Sequence, residues 1–161
     1  MVDINKSILN KGNFRLLIDK IPNVEYYIKS LNLPGMTFSE AIASAGIGVD
    51  VYLPGDKVEF DQLEVTFLVD EDLQNFKEIF DWMDAIIPFK DPTKYTGYTD
   101  PLGQYADITL VVTTNKNVPN KYIKFRDCLP TRLSGIEFES GSDAEAITCT
   151  VSFRFAYYEF E

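Results

Sequence analysis

The stretch FDQLEVTFLVDEDLQNFKEIFDWM, residues 60–83, decides the fold that this sequence predicts. Apolar and polar side chains alternate from Gln62 to Val69, which is the period of a strand with one buried face. From Asp70 onward the apolar residues recur at helical spacing, and they are Leu73, Phe76, Ile79, Phe80, Met83, Ile86 and Ile87. The sequence therefore predicts a strand followed directly by a helix over residues 71–87, which Pro88 ends.

Two residues of this helix can be given roles from their positions. Asp70 is predicted to be the N-cap, because its carboxylate can accept hydrogen bonds from the free N–H groups of the first turn. Trp82 lies at or beyond the border of the apolar stripe. Its ring is expected either to fold onto the loop after Pro88 or to contact another subunit, since tryptophan is enriched in interface hot spots.

The rest of the chain is predicted to form strands and loops. Alternation on either side of Ile21-Pro22-Asn23 predicts a hairpin of two strands, over residues 14–19 and 24–29. Alternation further along predicts four strands, over residues 105–114, 121–127, 131–140 and 146–157. We therefore expect a single, mostly β domain over residues 1–161. Its form would be an antiparallel sandwich or barrel of about seven or eight strands with one flanking helix.

An apolar segment that contains glycine precedes the strand and helix. Residues 40–57 include Gly46 and Gly48 and show no helical period. A weak helix is one interpretation of this segment, but its composition favours a protruding arm or hairpin bent near the two glycines, and an exposed apolar arm indicates a partner surface. The candidate contact residues are Ile42, Ile47, Val49, Val51, Tyr52 and Leu53. A second irregular stretch, residues 88–103, is predicted to be a loop whose tyrosines, Tyr95 and Tyr98, pack on the domain or meet a neighbour.

The composition limits the possible functions. The chain carries 15 Lys and Arg against 25 Asp and Glu, a formal charge of −10, and it contains no histidine. The commonest general base and metal ligand is therefore missing, and a basic face that grips nucleic acid is not expected. No apolar run is long enough to span a bilayer, and the start MVDINKSILN has no signal-peptide region, so we expect no membrane partner and synthesis inside the cell. Cys128 and Cys149 are expected to be reduced, mostly buried thiols.

No set of residues has the pattern of a catalytic site. The acidic residues 70–72 crowd together, but helix capping and the helix dipole account for them. Glu137 and Glu139 project from the polar face of a predicted strand and are expected to be solvated. We therefore expect no enzyme activity, no cofactor and no metal site.

The order of the elements resembles that of the tail tube proteins of contractile-tailed bacteriophages. Three places carry the resemblance. They are the opening strands followed by Leu33-Pro34-Gly35, the strand and acid-capped helix of residues 55–83, and the segment FRDCLPT of residues 125–131 with the long last strand after it. The resemblance spans nearly the whole chain, although the loop of residues 88–103 departs from the family pattern.

The resemblance implies a structural, non-enzymatic protein of the virion. Subunits of that family form hexameric rings that stack into a tube inside a contractile sheath, and the tube carries the genome into the host. The implied partners are further copies of this chain, the tail sheath protein, the baseplate or tube initiator and the tail terminator, with assembly in the host bacterial cytoplasm. DNA would pass through the lumen without specific binding, and Glu137 and Glu139 are candidate lumen residues because an acidic wall lets DNA slide.

Three alternative interpretations stay open. A tube initiator or baseplate paralogue would share the fold. The tube protein of a secretion system or of a phage-like contractile particle would share the architecture without moving a genome. A carbohydrate-binding β-sandwich module is a more remote alternative, in which Tyr95 and Tyr98 would contact the glycan.

Overall fold

The computed structural model describes residues 8–25, 27–44, 46–95, 104–141 and 145–161. Within these ranges the chain forms nine strands, two α-helices and a short 3-10 helix at Pro92–Lys94. The strands are β1 (Phe14–Ile18), β2 (Ile28–Leu31), β3 (Met36–Ala43), β4 (Val51–Phe60), β5 (Leu63–Leu68), β6 (Ala106–Thr113), β7 (Pro119–Leu133), β8 (Thr148–Arg154) and β9 (Tyr157–Phe160). The helices are α1 (Pro22–Glu25) and α2 (Gln74–Ile86). The predicted class, mostly antiparallel β with one flanking helix, is confirmed.

Seven strands form a sheet that folds over on itself. Their order is β1-β6-β7-β8-β5-β2, with β9 also paired to β7, and every pairing is antiparallel. The first part of β7 pairs with β6 and β9, whereas Leu129–Leu133 pairs with β8. Asp127, at φ 54°, lies where β7 changes partners. One long strand therefore belongs to both halves of the fold.

The core fills the space between the two halves. The fully buried side chains of β5 are Leu63, Val65 and Phe67, as their alternation predicts. β5 pairs with β8, whose Cys149, Val151 and Phe153 are buried on the same side. Burying such apolar side chains contributes roughly 1.5–3 kcal/mol each, so this strand pair supplies much of the fold's stability.

The start of α2 differs from the prediction. The helix begins at Gln74 rather than residue 71, and the N-cap position belongs to Leu73, at φ 56°, rather than to Asp70. The Asp70 carboxylate still accepts the N–H of Asn75 at 3.3 Å, one turn further along. Asn75 is fully buried, and its Nδ2 donates to the carbonyl oxygen of Leu68 at 2.7 Å. This buried side-chain amide joins β5 to the helix, and the helix begins three residues later than predicted.

The predicted hairpin of residues 14–29 is wrong. Pro22–Glu25 forms the helical turn α1, and the strand that follows begins only at Ile28. β1 pairs with β6 while β2 pairs with β5, so the two strands belong to opposite halves of the fold. The Glu25 carboxylate accepts the N–H of Ile18 at 2.8 Å, which fixes the turn against the end of β1.

The C-terminal strands are also divided differently from the prediction. Residues 121–127 and 131–140 were predicted as separate strands, but β7 runs unbroken from Pro119 to Leu133 and residues 134–139 are not strand. The predicted last strand is split into β8 and β9 by a bend at Ala156, whose N–H donates to the carbonyl oxygen of Arg126. The bend turns Tyr157 outward and moves Tyr158 into the partly buried set.

Candidate assembly surfaces

The hairpin of β3 and β4 stands apart from the rest of the protein. The two strands pair with each other as a separate two-stranded sheet over the described residues. Large apolar side chains are exposed along it, and they are Met36, Phe38, Ile42, Ile47, Val49, Val51, Tyr52, Leu53 and Val58. An isolated two-stranded hairpin is at best marginally stable in water, and large exposed apolar patches are characteristic of interaction sites in proteins generally.

The base of the hairpin is firmly attached to the body. Asp61 donates its N–H to the carbonyl oxygen of Gly35 at 3.0 Å, which closes the base. Arg154 Nη1 donates to the carbonyl oxygen of Phe60 at 3.3 Å. The Phe60 ring lies 5.5 Å from Phe155 and 5.3 Å from Tyr158, centroid to centroid. The root of the hairpin is therefore ordered by packing, while the remainder extends into solvent.

The six contact residues predicted within the arm all lie on the exposed part of the hairpin. Gly46 and Gly48 have φ of 87° and 137°, so the tip uses backbone conformations that side chains rarely adopt. Ile47 and Val49 are 108% and 87% exposed, the most open apolar side chains of this tip. The prediction began the arm at residue 40 and missed Met36, Phe38 and Val58, which extend the same apolar surface towards the base. Their alternation with polar residues was the available signal.

Trp82 is not available as a contact residue. Its side chain is 7% exposed and its ring lies 5.9 Å from Phe153, inside the core. The indole N–H donates to the carbonyl oxygen of Gln104 at 2.9 Å, and Lys20 Nζ lies 5.2 Å above the ring. A ring already buried in its own subunit has little area left to give to another. Of the two predicted roles, packing on the end of the loop fits its position.

The two candidate lumen residues lie outside the sheet. Glu137 and Glu139 are exposed in the segment that follows β7, rather than on a strand face. Phe138 between them is 75% exposed, so the segment carries an apolar ring as well as two carboxylates. Of the two tyrosines in the predicted loop of residues 88–103, Tyr95 is exposed and Tyr98 lies outside the described residues.

An apolar groove opens where the two edge strands β1 and β2 face each other. Two adjoining hollows of about 740 and 580 Å³ share Gly12, Phe14 and Lys29 in their walls. The larger hollow is lined by side chains from distant parts of the sequence, among them Leu9, Leu31, Leu33, Leu110, Val112 and Ile123. Sequence reasoning missed this surface, because only the fold brings these residues together.

The ionisable groups show no catalytic arrangement in the part of the chain that the structure describes. The two free thiols are buried, and burial raises the pKa of Cys128 to about 12 and that of Cys149 in the same direction. Arg126 donates to Asp107 at 2.7 Å and to Glu159 at 2.8 Å, and these hydrogen bonds raise its pKa. This ion-pair cluster links β6, β7 and β9, and a structural role is sufficient to account for it.

Neither a metal site nor a membrane helix is found where the structure is described. Over those residues, no three His, Cys, Asp or Glu side chains lie close enough to hold a metal ion. Nor does any described helix have the length and apolar character needed to cross a bilayer.

Known proteins resemble this chain in sequence and in fold. It is 30% identical over 110 residues to the tail tube terminator protein of Enterobacteria phage T4, covering 67% of this chain and 60% of the relative. The aligned part therefore spans less than two thirds of that relative. A chain of the anti-feeding prophage baseplate structure has a TM-score of 0.68 at 12% identity, with 98% of this chain and 97% of that one covered.

A chain from the extended sheath–tube complex of an extracellular contractile injection system has the same fold. Its TM-score is 0.66 at 16% identity, with 97% of this chain and 93% of that chain covered. A family model described as phage tail tube protein matches residues 3–161, almost the entire sequence. Together with the β fold and its projecting hairpin, this match shows that the chain belongs to the phage tail tube protein family.

Proposed function

We propose that this chain is a structural subunit of a tail tube, and that its hairpin joins one ring of subunits to the next. The observation that carries the proposal is the pairing of a tail tube fold with the apolar hairpin of β3 and β4. A contact between two different surfaces repeats from copy to copy, and it produces a closed ring or an open filament depending on its geometry. The proposed role is non-enzymatic.

The hexameric ring and the partners come from the family resemblance. Six subunits would form a ring, and rings would stack into a conduit for genome passage into the host. The further partners would be the tail sheath, the baseplate or initiator and the terminator, and assembly would take place in the host bacterial cytoplasm. Solved chains with this fold occur in baseplate, sheath–tube and cap structures, which supports this set of partners.

A tube terminator is the second candidate function. The aligned phage T4 relative is named as a tail tube terminator, and solved chains of this fold occur in terminating caps as well as in tubes. A terminator would form a single ring that binds the end of a tube, whereas a tube subunit would add ring after ring.

Electron microscopy of the purified chain at rising concentration tests the proposal. The wild type should form stacked rings or tubes, and Ile47→Ser with Val49→Ser should stop stacking, because the tip loses its apolar contact area. Val118→Ser is the matched control, since Val118 is also an exposed apolar residue but lies in the turn between β6 and β7. We expect the control to assemble like the wild type.

The terminator function predicts a different outcome from the same experiment. Single rings that never grow, and that attach to the ends of preformed tail tubes, would identify a terminator. A wild-type chain that remains monomeric even when tube ends are supplied as seeds would contradict both functions.

A further inference from the structure

We infer that the groove between β1 and β2 receives the hairpin of a second copy of this chain. The inference rests on the proposed tube function and names the surface that the hairpin contacts. Three observations support it: the apolar lining of the groove, the opposite charges of groove and hairpin, and the position of the groove at the base of the hairpin rather than near its tip.

The groove and the hairpin are both apolar surfaces left open in the single chain. Leu9 and Leu33 are exposed at the mouth of the groove, and Phe14 and Leu31 lie partly buried further in. The hairpin ends in Ile47 and Val49, aliphatic side chains of a size that such a groove can take. Contact between the two would remove both surfaces from water.

The charges around the two surfaces are opposite. Lys11, Arg15 and Lys29 line the groove, and the ion pairs within the described residues use none of them. Glu25 also lines it, but its carboxylate accepts the N–H of Ile18.

The hairpin carries the complementary sign. Residues 36–60 contain four acids and one lysine, a formal charge of −4 + 1 = −3, and the acids are Glu40, Asp50, Asp56 and Glu59. The whole chain has 15 basic residues against 25 acidic ones, whereas the groove is lined by three basic residues and one acidic residue. Such complementarity fixes the partner and the orientation of a contact.

The hairpin cannot fill the groove of its own chain. Leu33, in the groove wall, is separated from Met36 at the start of β3 by only two residues. β3 has eight residues, so at about 3.3 Å per residue its far end lies about 26 Å from its start. The occupant is therefore another copy, and the contact joins the hairpin of one copy to the groove of the next. That head-to-tail geometry can propagate through many subunits.

Disulfide cross-linking of Val49→Cys with Leu33→Cys tests this contact. Both positions are exposed, so the substitutions leave the core intact, and the native thiols are buried away from oxidant. Under mild oxidation with diamide, the double variant should give a ladder of dimers, trimers and larger species on a non-reducing gel. Each single variant can give dimers at most, because it has one accessible thiol per chain.

The controls separate the groove contact from assembly in general. Val49→Cys with Val118→Cys also has two accessible thiols, but Val118 lies outside the groove, so this pair should stop at dimers. Reversing one groove charge, Lys29→Glu, should slow formation of the ladder by about fivefold, and adding Asp50→Lys should restore it.

Two results would overturn the inference. One is the absence of a ladder from the Val49 and Leu33 pair at concentrations where tubes are seen, which would leave the tube function standing but assign the hairpin a different receiving surface. The other is an equal ladder from the Val118 control. A ladder in a protein that forms no rings or tubes would support the groove contact and contradict the tube function.

Discussion

At the scale of single residues, Asn75 stabilises the join between β5 and α2. It is fully buried, its Nδ2 donates to the Leu68 carbonyl at 2.7 Å, and its Oδ1 accepts the Phe76 N–H at 2.8 Å. The same Oδ1 also accepts the Asp70 N–H at 3.3 Å, so alanine here would remove a hydrogen-bond partner from three backbone groups. We predict that Asn75→Ala lowers the free energy of unfolding by about 3 kcal/mol, measured by urea unfolding followed through Trp82 fluorescence.

The neighbouring position supplies the control for Asn75. Gln74 is exposed at the first position of α2, so Gln74→Ala should change the free energy of unfolding by less than about 0.5 kcal/mol. Equal effects of the two substitutions would show that helix propensity, rather than the buried amide, governs stability at this join.

Cys128 makes stability depend on alkaline pH. Burial raises the pKa of its thiol to about 12, whereas the pKa of a cysteine in an unfolded chain is about 8.5. Between these values the unfolded chain releases the proton and the folded chain keeps it, so the unfolded state binds fewer protons and stability falls as pH rises. We expect this thiol to remove up to about 1.4 kcal/mol per pH unit above pH 9.

Comparing Cys128→Ala with the wild type isolates that effect. The alanine variant starts from a lower free energy of unfolding because the sulfur no longer packs in the core. Its loss of stability between about pH 8 and 10.5 should nevertheless be shallower, since the unfolded chain no longer has the Cys128 thiol from which to release a proton. Parallel pH profiles of the two proteins, measured by urea unfolding, would contradict the prediction.

Sequence patterns predicted burial correctly for residues whose burial depends on the residues next to them in the sequence. Leu63, Val65 and Phe67 are buried because strict alternation places them on one face. The buried side of α2 runs through Asn75, Ile79 and Trp82, to one side of the predicted apolar stripe, which contains Ile79 but neither Asn75 nor Trp82. The residue type alone does not reveal whether an asparagine side chain is buried and hydrogen-bonded or exposed on the surface.

At the scale of elements, the hairpin depends on one close approach of its strands. Gly55 lies opposite Ser39, where the register of β3 and β4 shifts, and a Cβ there would come within 2.6 Å of the Ser39 carbonyl oxygen. We predict that Gly55→Ala disrupts the pairing of the hairpin and abolishes stacking, because the backbone must move apart. Hydrogen exchange of the hairpin amides, compared with those of β5, would measure this.

Gly135→Ala is the matched control for that substitution. A Cβ at Gly135 meets nothing within 4 Å, so hydrogen exchange and assembly should match the wild type. The β5 amides should be equally protected in all three proteins, because the hairpin is attached to the body only at its base. Faster exchange throughout the body of Gly55→Ala would contradict the independence of the hairpin.

The errors in the elements have identifiable causes. Val24 and Ile28 are four residues apart, a spacing that suits both the strand period and the helical turn, and Pro22 at the first helical position selects the turn. The prediction separated strands over residues 121–127 and 131–140, but β7 continues between them through a shift of register at Pro130 and Arg132. Local sequence does not decide such cases, because the pairing partner accommodates the irregularity.

At the scale of the whole molecule, the two proposed surfaces differ in how far the sequence could locate them. The hairpin is one continuous segment, so its apolar residues and glycines were visible together. The groove joins Leu9, Leu33 and Ile123, which no sequence window contains. A surface made of residues that are distant in the sequence can be recognised only from the structure, because each of its residues is an ordinary apolar side chain.

The proposed acidic lumen can be tested by reversing its charge. If Glu137 and Glu139 line the channel, the double variant Glu137→Lys with Glu139→Lys replaces two carboxylates per subunit by ammonium groups that neutralise phosphates. Short duplex DNA present during assembly should then be retained in the tubes and protected from nuclease. Wild-type tubes should protect none, and protection in the variant should fall steeply as salt increases.

A control with the same charge separates lumen from outer surface. Glu71→Lys with Asp72→Lys changes two exposed acids before α2, and each double variant has a formal charge of −10 + 4 = −6. If net charge alone governed DNA binding, both variants would bind DNA equally, and DNA held on an outer surface would remain open to nuclease. Protection by the Glu137 and Glu139 variant alone would place those residues in the channel, because only an enclosed duplex is shielded from the enzyme. No protection by that variant in well-formed tubes would place the segment after β7 elsewhere on the ring.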